Sequence, residues 1–323
     1  MLKKILGLLL VLMLLPCAAV SEDALELSDE EITALLWELY QSENADAEFM
    51  VLPDDYEEPA AGKTGIYNLL LIGVDNPGDA ITGRSDTMLL ASLNARTGAL
   101  RLISFMRDTY VSIPGHGHNK LNAAFAYGGA ELLIKTLNKN FGVQVDGYVA
   151  VNYALMAELV DEIGGVELTV SEDELPKLNG ILEYYNRQRG VEAKKGRLES
   201  AGTQVLTGLQ TMSYARIRKL DSDFVRVERQ QKVILAIYKK LCTLPLFEIP
   251  SIITRNISRV DTNVTLARAA SLAGMIVGFD EVTFTTLRIP ANGAYRSQTI
   301  SGTYFIVPKL ERCRTDIQTF LDE

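Results

Sequence analysis

The sequence predicts an α/β protein with three layers, α/β/α, built on a central mixed β-sheet in a single main domain. Apolar segments of strand length alternate with amphipathic segments of helical length along most of the chain, a pattern typical of sheets covered by helices on both faces. The 323 residues are 47% hydrophobic and 23% charged, as in an ordinary globular domain. Charged side chains recur at the ends of the predicted strands, where α/β proteins commonly bind ligands.

Residues 1–20 are predicted to be a signal peptide or a short membrane anchor. Lys3 and Lys4 precede an apolar run over residues 5–20, which is shorter than the span of about 20 residues that crosses a membrane and has the length of a secretory core. Cys17 leaves a lipoprotein signal as a third alternative. Each alternative predicts export of the remaining chain to the extracellular face of the cytoplasmic membrane or the cell wall.

Residues 21–63 are predicted to form an N-terminal helix and an acidic linker, followed by the main domain over residues 64–323. Ser28 and Glu31 have the spacing of a helix capping box, and the linker is acidic and contains proline and glycine. The two cysteines of the main domain form either a disulfide or two separate thiols, and the sequence leaves both alternatives open; they are Cys242 and Cys313.

Charged residues lie at the ends of the first three predicted strands. Asp75 follows the first strand, Asp86 precedes the second, and Arg107 and Asp108 follow the third. Mg²⁺ is commonly held by one or two carboxylates together with substrate phosphates. The strand ends therefore indicate a candidate site for a divalent cation.

The histidines and the remaining elements follow in order. Both histidines lie in the loop over residues 114–119, which is either a zinc-binding pair or, as we favour, a solvent-exposed turn. Gly128 and Gly129 are predicted to break a helical region, and Thr207 with Gln210 to cap a short helix. Strands are predicted over residues 66–74, 87–93, 99–105, 147–152, 166–170 and 282–289, and helices over 130–141, 153–163, 181–189 (an exposed excursion or a lid) and 308–321.

Residues 207–241 concentrate positive charge in a chain whose formal net charge is −9. Arg216 and Arg218 share one face of an extended segment, and Arg226, Arg229 and Gln230 share one face of a helix. Because guanidinium groups donate in a planar fork, these sets suit phosphate or pyrophosphate. Surface ion pairs with neighbouring acidic residues are the alternative. A sequence pI near 5.0 argues against nucleic acid as a partner.

Several separate motifs, in the same order, resemble those of the LytR-CpsA-Psr family of Gram-positive cell envelopes. The resemblance covers about residues 65–241 and, less distinctly, the rest of the chain. Pro77 and Met106 depart from it, since arginine and proline are common at those positions. The motifs are L-I-G-V-D at 71–75, R-S-D-T-M at 84–88, S-F-M-R-D-T at 104–109, K-L-N-A-A-F-A-Y-G-G at 120–129, I-G-G-V at 163–166, Y-A-R-I-R at 214–218 and D-F-V-R-V-E-R-Q-Q at 223–231.

The resemblance implies a phosphotransferase. Such an enzyme takes a glycopolymer, for example teichoic acid or capsule, from an undecaprenyl-pyrophosphate carrier at the membrane surface. It joins the polymer to peptidoglycan through a phosphodiester at the 6-hydroxyl of muramic acid. The implied cofactor is Mg²⁺, with Mn²⁺ as the alternative. Two further hypotheses are a non-catalytic polyprenyl-phosphate lipid-binding protein and a pyrophosphatase, whereas the export signal and acidic pI disfavour a regulator of transcription.

The resemblance also implies roles for individual residues. Asp75 and Asp86 would hold the metal and, with Arg107 and Arg226, form the catalytic set. Placement beside these positions adds Arg84 to the pyrophosphate site and makes Asp108 and Arg229 further site residues. The complete pyrophosphate set is Arg84, Arg107, Arg216, Arg218, Arg226 and Gln230, with Asp223 as another acidic position of the site.

Overall fold

A computed structural model describes residues 66–74, 76, 80–94, 97, 99–217, 223–241, 243–244, 252, 256, 259–264 and 284–322. For residues 223–227, 238, 241 and 284 it describes the backbone alone. The predicted signal segment, N-terminal helix and acidic linker lie outside these ranges, as do Asp75, Pro77, Arg218 and Cys242.

A mixed six-stranded sheet forms the centre of the protein. Across the part of the chain described, the strands are β1 (Ile66–Val74), β2 (Ser85–Asn94), β3 (Leu100–Phe105), β4 (Tyr110–Ile113), β5 (Gly117–Lys120), β6 (Gly147–Asn152), β7 (Val166–Val170), β8 (Gly202–Leu206), β9 (Asp261–Thr262), β10 (Phe284–Ile289), β11 (Tyr295–Ile300) and β12 (Thr303–Pro308). The central sheet has the order β10-β3-β2-β1-β6-β9. The predicted mixed sheet is therefore confirmed.

Strand direction brings several strand ends to one edge of this sheet. β1 is parallel to β6 and β10 is parallel to β3, whereas β2 is antiparallel to both β1 and β3. The carboxyl ends of β1, β3, β6 and β10 consequently lie together, beside the start of β2. We call this the carboxyl edge.

Helices cover both faces of the sheet. They are α1 (Ala123–Phe141), α2 (Tyr153–Glu162), α3 (Leu175–Gln188), α4 (Gly208–Ala215), α5 (Asp223–Leu241) and α6 (Leu310–Asp322). Alternate residues of a strand point to opposite faces. Accordingly, Leu69 and Leu71 pack in a core with α2, α4 and α5, whereas Leu70 and Ile72 pack in a second core with α1 and α6. Two cores separated by one sheet give the predicted α/β/α layers.

Helix α1 is interrupted where the sequence predicts a break. Gly129 has φ 62° and ψ −158°, a conformation that a side chain would strain, and Gly128 is also non-helical. A Cβ atom added to Gly128 would lie 2.7 Å from the Cβ atom of Leu132. The two glycines thus allow a short first segment, which carries Tyr127, to leave the axis of the longer helix.

One helix differs from the prediction, and the structure decides the state of one cysteine that the sequence left open. Helix α3 starts at Leu175, six residues before the predicted excursion, and buries Leu178 and Leu182 on one face. Its packed face includes Asn179 and Asn186, which hydrogen-bond backbone carbonyls and so interrupt the apolar pattern that would have revealed the helix. Cys313 of α6 is a free, buried thiol, which settles the open disulfide alternative for this residue.

The close packing of α4 on α2 depends on one glycine. A Cβ atom at Gly208 would lie 1.8 Å from the carbonyl oxygen of Ala157, and the Gly208 amide donates to Asp161 Oδ1 at 2.7 Å. The predicted capping box of α4 is present, with reciprocal bonds between Thr207 and Gln210. Within the described ranges, no helix is both long enough and apolar enough to span a membrane.

Candidate functional site

Four charged side chains form a connected group at the carboxyl edge. Arg107 Nη1 donates to Asp86 Oδ1 at 2.8 Å, and Arg107 Nε donates to Asp108 Oδ2 at 3.3 Å. Lys120 Nζ lies 2.5 Å from Asp108 Oδ1. We call Asp86, Arg107, Asp108 and Lys120 the carboxyl-edge cluster. Its two positive charges balance its two negative charges.

The carboxylates of this cluster are largely shielded from solvent. The side chains of Asp86 and Asp108 are 7% and 9% exposed, whereas those of Arg107 and Lys120 are 16% and 19% exposed. Interactions between charges strengthen as water is excluded. The bases are the more accessible members, so the cluster offers cations to a ligand and keeps carboxylates behind them.

Backbone hydrogen bonds fix the loop that carries Arg107 and Asp108. The amide of Met106 donates to the carbonyl of Ile289 at 2.9 Å, which extends the β3–β10 pairing by one residue. Proline, common at this position in the family that the motifs resemble, has no amide proton to donate. The amide of Asn122 donates to the carbonyl of Arg107 at 3.2 Å. The loop is thus held both by the sheet and by the residues that follow β5.

A second part of the site lies where β6 ends. Arg216 caps the carboxyl end of α4, and its Cζ atom lies 3.6 Å from the ring centroid of Tyr153 and 4.6 Å from that of Tyr185. Tyr153 directly follows β6, which is separated from β3 by β1 and β2. Three strand spacings correspond to roughly 14 Å. Arg216 and Arg107 therefore lie at the same edge of the sheet, on either side of the ends of β1 and β2.

The other predicted site residues are placed differently. Arg84 is exposed just before β2, and Gln230 is half-buried on α5. Arg229 is 3% exposed; its Nε donates to Glu174 Oε1 at 2.7 Å and its Nη1 to the carbonyl of Ile217 at 3.3 Å. These contacts tie α5 to α3, and a role for Arg229 in binding a ligand stays a prediction.

Four predicted site residues lie wholly or partly outside the described atoms. Asp75 and Arg218 are outside the described residues. Asp223 and Arg226 lie in the first part of α5, where the backbone alone is described. Their roles also stay predictions.

Sequence reasoning missed several residues of this region. Lys120 was recognised only as part of a motif, and the tyrosines that enclose Arg216 were not singled out. Gln231 Nε2 donates to Ser104 Oγ at 2.9 Å, which joins α5 to β3. Arg288, whose neighbour across the β3–β10 pairing is Ser104, could have been noticed as a charge inside an apolar strand.

Arg288 extends positive charge along the β10 side of the sheet. Its Nη2 donates to Asn292 Oδ1 at 2.7 Å. Burial lowers the pKa of its guanidinium, although the nearby Tyr295 and Glu228 oppose that shift.

The two histidines occupy opposite faces of the β4–β5 hairpin. The register pairs Tyr110 with Lys120, so His118 shares their face, whereas Asn119 points to the other face. His118 stacks on Tyr110. His116 stacks on Tyr127, whose hydroxyl accepts a hydrogen bond from Asn119, so His116 lies on the Asn119 side of the hairpin. Among the described residues there is no group of three or more His, Cys, Asp or Glu side chains able to hold a metal. The exposed-turn interpretation holds for His116, whereas His118 lies in β5 itself.

The fold and its polar edge define an α/β protein with an arginine-bearing site at the carboxyl ends of parallel strands. The chain belongs to the LytR-CpsA-Psr family, because residues 39–318 match the sequence model described as "LytR_cpsA_psr family".

Curated relatives carry the name polyisoprenyl-teichoic acid–peptidoglycan teichoic acid transferase. TagT of Bacillus subtilis is 31% identical over 224 residues, covering 67% of this chain and 66% of the relative. TagU of Enterococcus faecalis is 37% identical over 183 residues, covering 55% and 54%. The matched part of the chain therefore spans between about half and two thirds of these relatives.

Solved structures of TagT have the same fold. TagT bound to LIIa-WTA superposes with a TM-score of 0.64 at 27% identity, covering 80% of this chain and 92% of the other. TagT with bound octaprenyl pyrophosphate lipid superposes with a TM-score of 0.60 at 25% identity, covering 83% of this chain and 94% of the other.

Proposed function

We propose that this protein transfers a glycopolymer from a polyprenyl-pyrophosphate carrier to peptidoglycan, forming a phosphodiester. Family membership supports this, as do relatives named as teichoic acid transferases and a solved relative that binds a polyprenyl pyrophosphate lipid. The observation on this chain that carries the proposal is the carboxyl-edge cluster, where Arg107 bridges two buried carboxylates.

The described cations suit a pyrophosphate lying along the carboxyl edge. Phosphoryl transfer depends on positioning and charge neutralisation more than on covalent help from the protein. Arg107 and Lys120 would contact one end of the diphosphate and Arg216 the other. The exposed Arg84 and the predicted ligands Arg218, Arg226 and Gln230 would complete the set.

A divalent cation fits the oxygen ligands at this edge. Asp86 is a buried carboxylate whose orientation Arg107 fixes, and it lies at the start of β2, next to the end of β1 that Asp75 follows in sequence. We assign Asp75 and Asp86 as the ligands of Mg²⁺, or alternatively Mn²⁺. When bound, the ion would neutralise phosphate charge and polarise the phosphorus–oxygen bonds.

The reaction balances as a substitution at one phosphorus atom. The oxygen of a peptidoglycan sugar hydroxyl forms a bond to the phosphorus that bears the polymer. The bond from that phosphorus to the bridging oxygen breaks, and polyprenyl phosphate leaves with the bridging oxygen and its electron pair. Asp86 accepts the hydroxyl proton, and the arginines bind the charge on the leaving phosphate. This chemistry belongs at the cell envelope, which agrees with the predicted export segment.

Arg107→Lys tests the site because it retains a positive charge but loses the planar fork that spans Asp86 and Asp108. Transfer from a synthetic polyprenyl-pyrophosphate glycan to peptidoglycan oligomers should fall by about a hundredfold, in line with losing one aligned charge-stabilising group. Arg312→Lys is the matched control, since Arg312 lies on the exposed side of α6 and pairs locally with Asp316.

The same assay separates the alternatives. Metal-dependent joining of glycan to peptidoglycan supports the transferase. Carrier binding without product under any metal identifies a lipid-binding protein instead. Release of polyprenyl phosphate with the glycan passed to water identifies a pyrophosphatase. Normal transfer by Arg107→Lys contradicts the assigned site.

A further inference from the structure

The outer face of the β4–β5 hairpin carries an aromatic surface that the phosphate chemistry does not use. The ring centroids of His118 and Tyr110 are 5.4 Å apart with planes inclined at 24°, so the two rings stack. Phe305 meets Tyr110 edge-on at 4.9 Å. His118 is exposed, Tyr110 half-buried and Phe305 buried. We call these three residues the aromatic ledge.

The aromatic ledge is continuous with the carboxyl-edge cluster. Lys120 shares the hairpin face of Tyr110 and His118, and its Nζ lies 5.7 Å from the Phe305 ring centroid. The same Nζ contacts Asp108, which in turn contacts Arg107. An unbroken series of contacts therefore runs from the exposed imidazole of His118 to the proposed reacting centre.

This combination of flat rings and nearby charged groups suits a sugar. A pyranose has an apolar C–H face that packs on aromatic rings and a rim of hydroxyls that hydrogen-bond to polar side chains. Lys120 supplies a hydrogen-bond donor beside the ledge. A lipid tail, by contrast, needs an enclosed apolar groove rather than an exposed imidazole stacked on a half-buried tyrosine.

The position of the ledge favours the acceptor over the donor. Attacking and leaving oxygens lie roughly in line on opposite sides of the phosphorus. Arg216 lies near the end of β6, whereas the ledge lies beyond Arg107 and Lys120 on the β3 side. With the leaving polyprenyl phosphate assigned to the Arg216 end of the diphosphate, the attacking hydroxyl approaches from the side of the ledge.

We propose that the aromatic ledge is the subsite for a sugar of the acceptor glycan strand of peptidoglycan, a refinement that rests on the proposed transfer reaction. The outer face of the His118 imidazole binds the C–H face of a pyranose, Tyr110 supports that imidazole from behind, and the sugar hydroxyl points toward the cluster. Both residues are positioning residues for the acceptor, with no part in binding the carrier lipid.

The chain provides its own control on the opposite face of the hairpin. His116 stacks on Tyr127 with centroids 4.7 Å apart, and Asn119 Nδ2 donates to the Tyr127 hydroxyl at 2.8 Å. The chain contains two histidines, so a protein labelled with ¹⁵N-histidine gives two imidazole spin systems, assignable with His116→Ala and His118→Ala.

The binding test titrates the labelled full chain, in detergent, with a soluble disaccharide-peptide released from peptidoglycan. The His118 imidazole signals should shift and saturate while those of His116 stay in place, and Tyr110→Leu should abolish the shift. An unchanged His118, equal shifts of both histidines, or the same response to the donor glycan would each overturn the assignment.

The kinetic test separates this inference from the transfer reaction. His118→Ala should raise the KM for the acceptor by about threefold to tenfold, the usual contribution of one ring contact, and leave the KM for the donor unchanged. His118→Phe should restore the acceptor KM, and His116→Ala should change neither constant.

Binding and turnover give distinct outcomes. A shift of His118 in a protein without transfer activity supports the sugar site and refutes the proposed reaction. If the enzyme is active and its KM for the acceptor is unchanged by His118→Ala, the ledge is not the acceptor subsite, and the proposed reaction is unaffected.

Discussion

At the scale of single residues, Arg216 is held in place by two aromatic rings. Tyr153 lies on α2 and Tyr185 on α3, and both rings contact the guanidinium of Arg216. A cation placed over an aromatic face gains about 0.5–2 kcal/mol, depending on its exposure. The two rings restrict the directions in which Arg216 can point, which favours a fixed distance from the carboxyl ends of the strands.

Removal of one ring should therefore weaken the binding of the donor diphosphate by Arg216 without unfolding α3. We expect Tyr185→Leu to lower kcat/KM for the donor by about fivefold, the loss of one such contact. Tyr184→Leu is the control, because Tyr184 is 56% exposed and contacts Tyr185 edge-on, whereas the rings that lie against the Arg216 guanidinium are those of Tyr153 and Tyr185. Equal losses in both variants would contradict a specific role for Tyr185.

Asp86 gives a second prediction at this scale. Asp86→Asn keeps an oxygen that can accept from Arg107 but removes the negative charge that attracts Mg²⁺. Transfer should fall by more than about a hundredfold at limiting Mg²⁺ and should recover only in part at high Mg²⁺, because the asparagine cannot accept the hydroxyl proton. A Mg²⁺ titration of transfer measures this, with the exposed Asp173→Asn as control. An unchanged metal requirement would place the cation elsewhere.

At the scale of elements, one buried ion pair joins helices that are distant in sequence. Glu174 stands at the N-cap position of α3, and Arg229 lies in the middle of α5. Burial by itself raises the pKa of Glu174, but hydrogen bonds from the Ser171 backbone and from Arg229, together with the charge of Arg229, outweigh burial and lower the pKa below its usual value. The pair therefore stabilises the folded state in its ionised form.

The sign of the pH dependence follows from this lowered pKa. The stabilisation is complete above the unfolded-state pKa of about 4.3 and is lost as pH falls through the lower folded-state pKa. Glu174→Gln leaves Arg229 buried without its counter-charge and should reduce the free energy of unfolding by roughly 3 kcal/mol near neutral pH. Urea unfolding should show the difference from the parent shrinking below about pH 4.

The exposed pair on α6 supplies the contrast. Glu311→Gln breaks the contact with Arg314, in which Glu311 is 87% exposed, and should change stability by less than about 0.5 kcal/mol. A loss as large as that of Glu174→Gln would show that burial does not govern these pairs.

At the scale of the whole molecule, the sheet could be predicted well from sequence. The strands Ile66–Val74, Gly147–Asn152 and Val166–Val170 match the prediction to the residue, since each is a short apolar run bounded by polar or glycine residues. The break in α1 was readable because two adjacent glycines are poor helix formers. Helix α3 was half missed, because buried asparagines occupy part of its packed face.

The candidate site was only partly predictable. Asp86, Arg107 and Asp108 stood out at strand ends. Lys120 joins them only because β5 returns antiparallel beside β4, and Tyr153 meets Arg216 only because α4 ends near β6. Such meetings depend on the packing of elements far apart in sequence, which local patterns do not encode.

The reactivity of Cys313 measures whether the packing of α6 against the sheet stays closed in the folded protein. Its side chain is fully buried in the core beneath α6, and burial, with a smaller contribution from Asp316, raises the pKa of its thiol to about 11. The reactive species of a thiol is the thiolate. Alkylation of Cys313 in the folded protein should therefore be slow and should accelerate sharply at the urea concentration where the chain unfolds, as followed by peptide mass spectrometry. Rapid labelling in buffer would show that α6 opens independently.

The hydrogen bond between Met106 and Ile289 makes the loop after β3 depend on a strand that is synthesised much later. The loop bearing Arg107 and Asp108 is secured by a strand that emerges from the ribosome near the end of synthesis. The nascent chain must hold an unfinished sheet edge until β10 appears, and contacts this distant in sequence form slowly. For the export that residues 1–20 predict, this delay would be useful, since a polypeptide whose carboxyl edge closes late stays unfolded long enough to be threaded across a membrane.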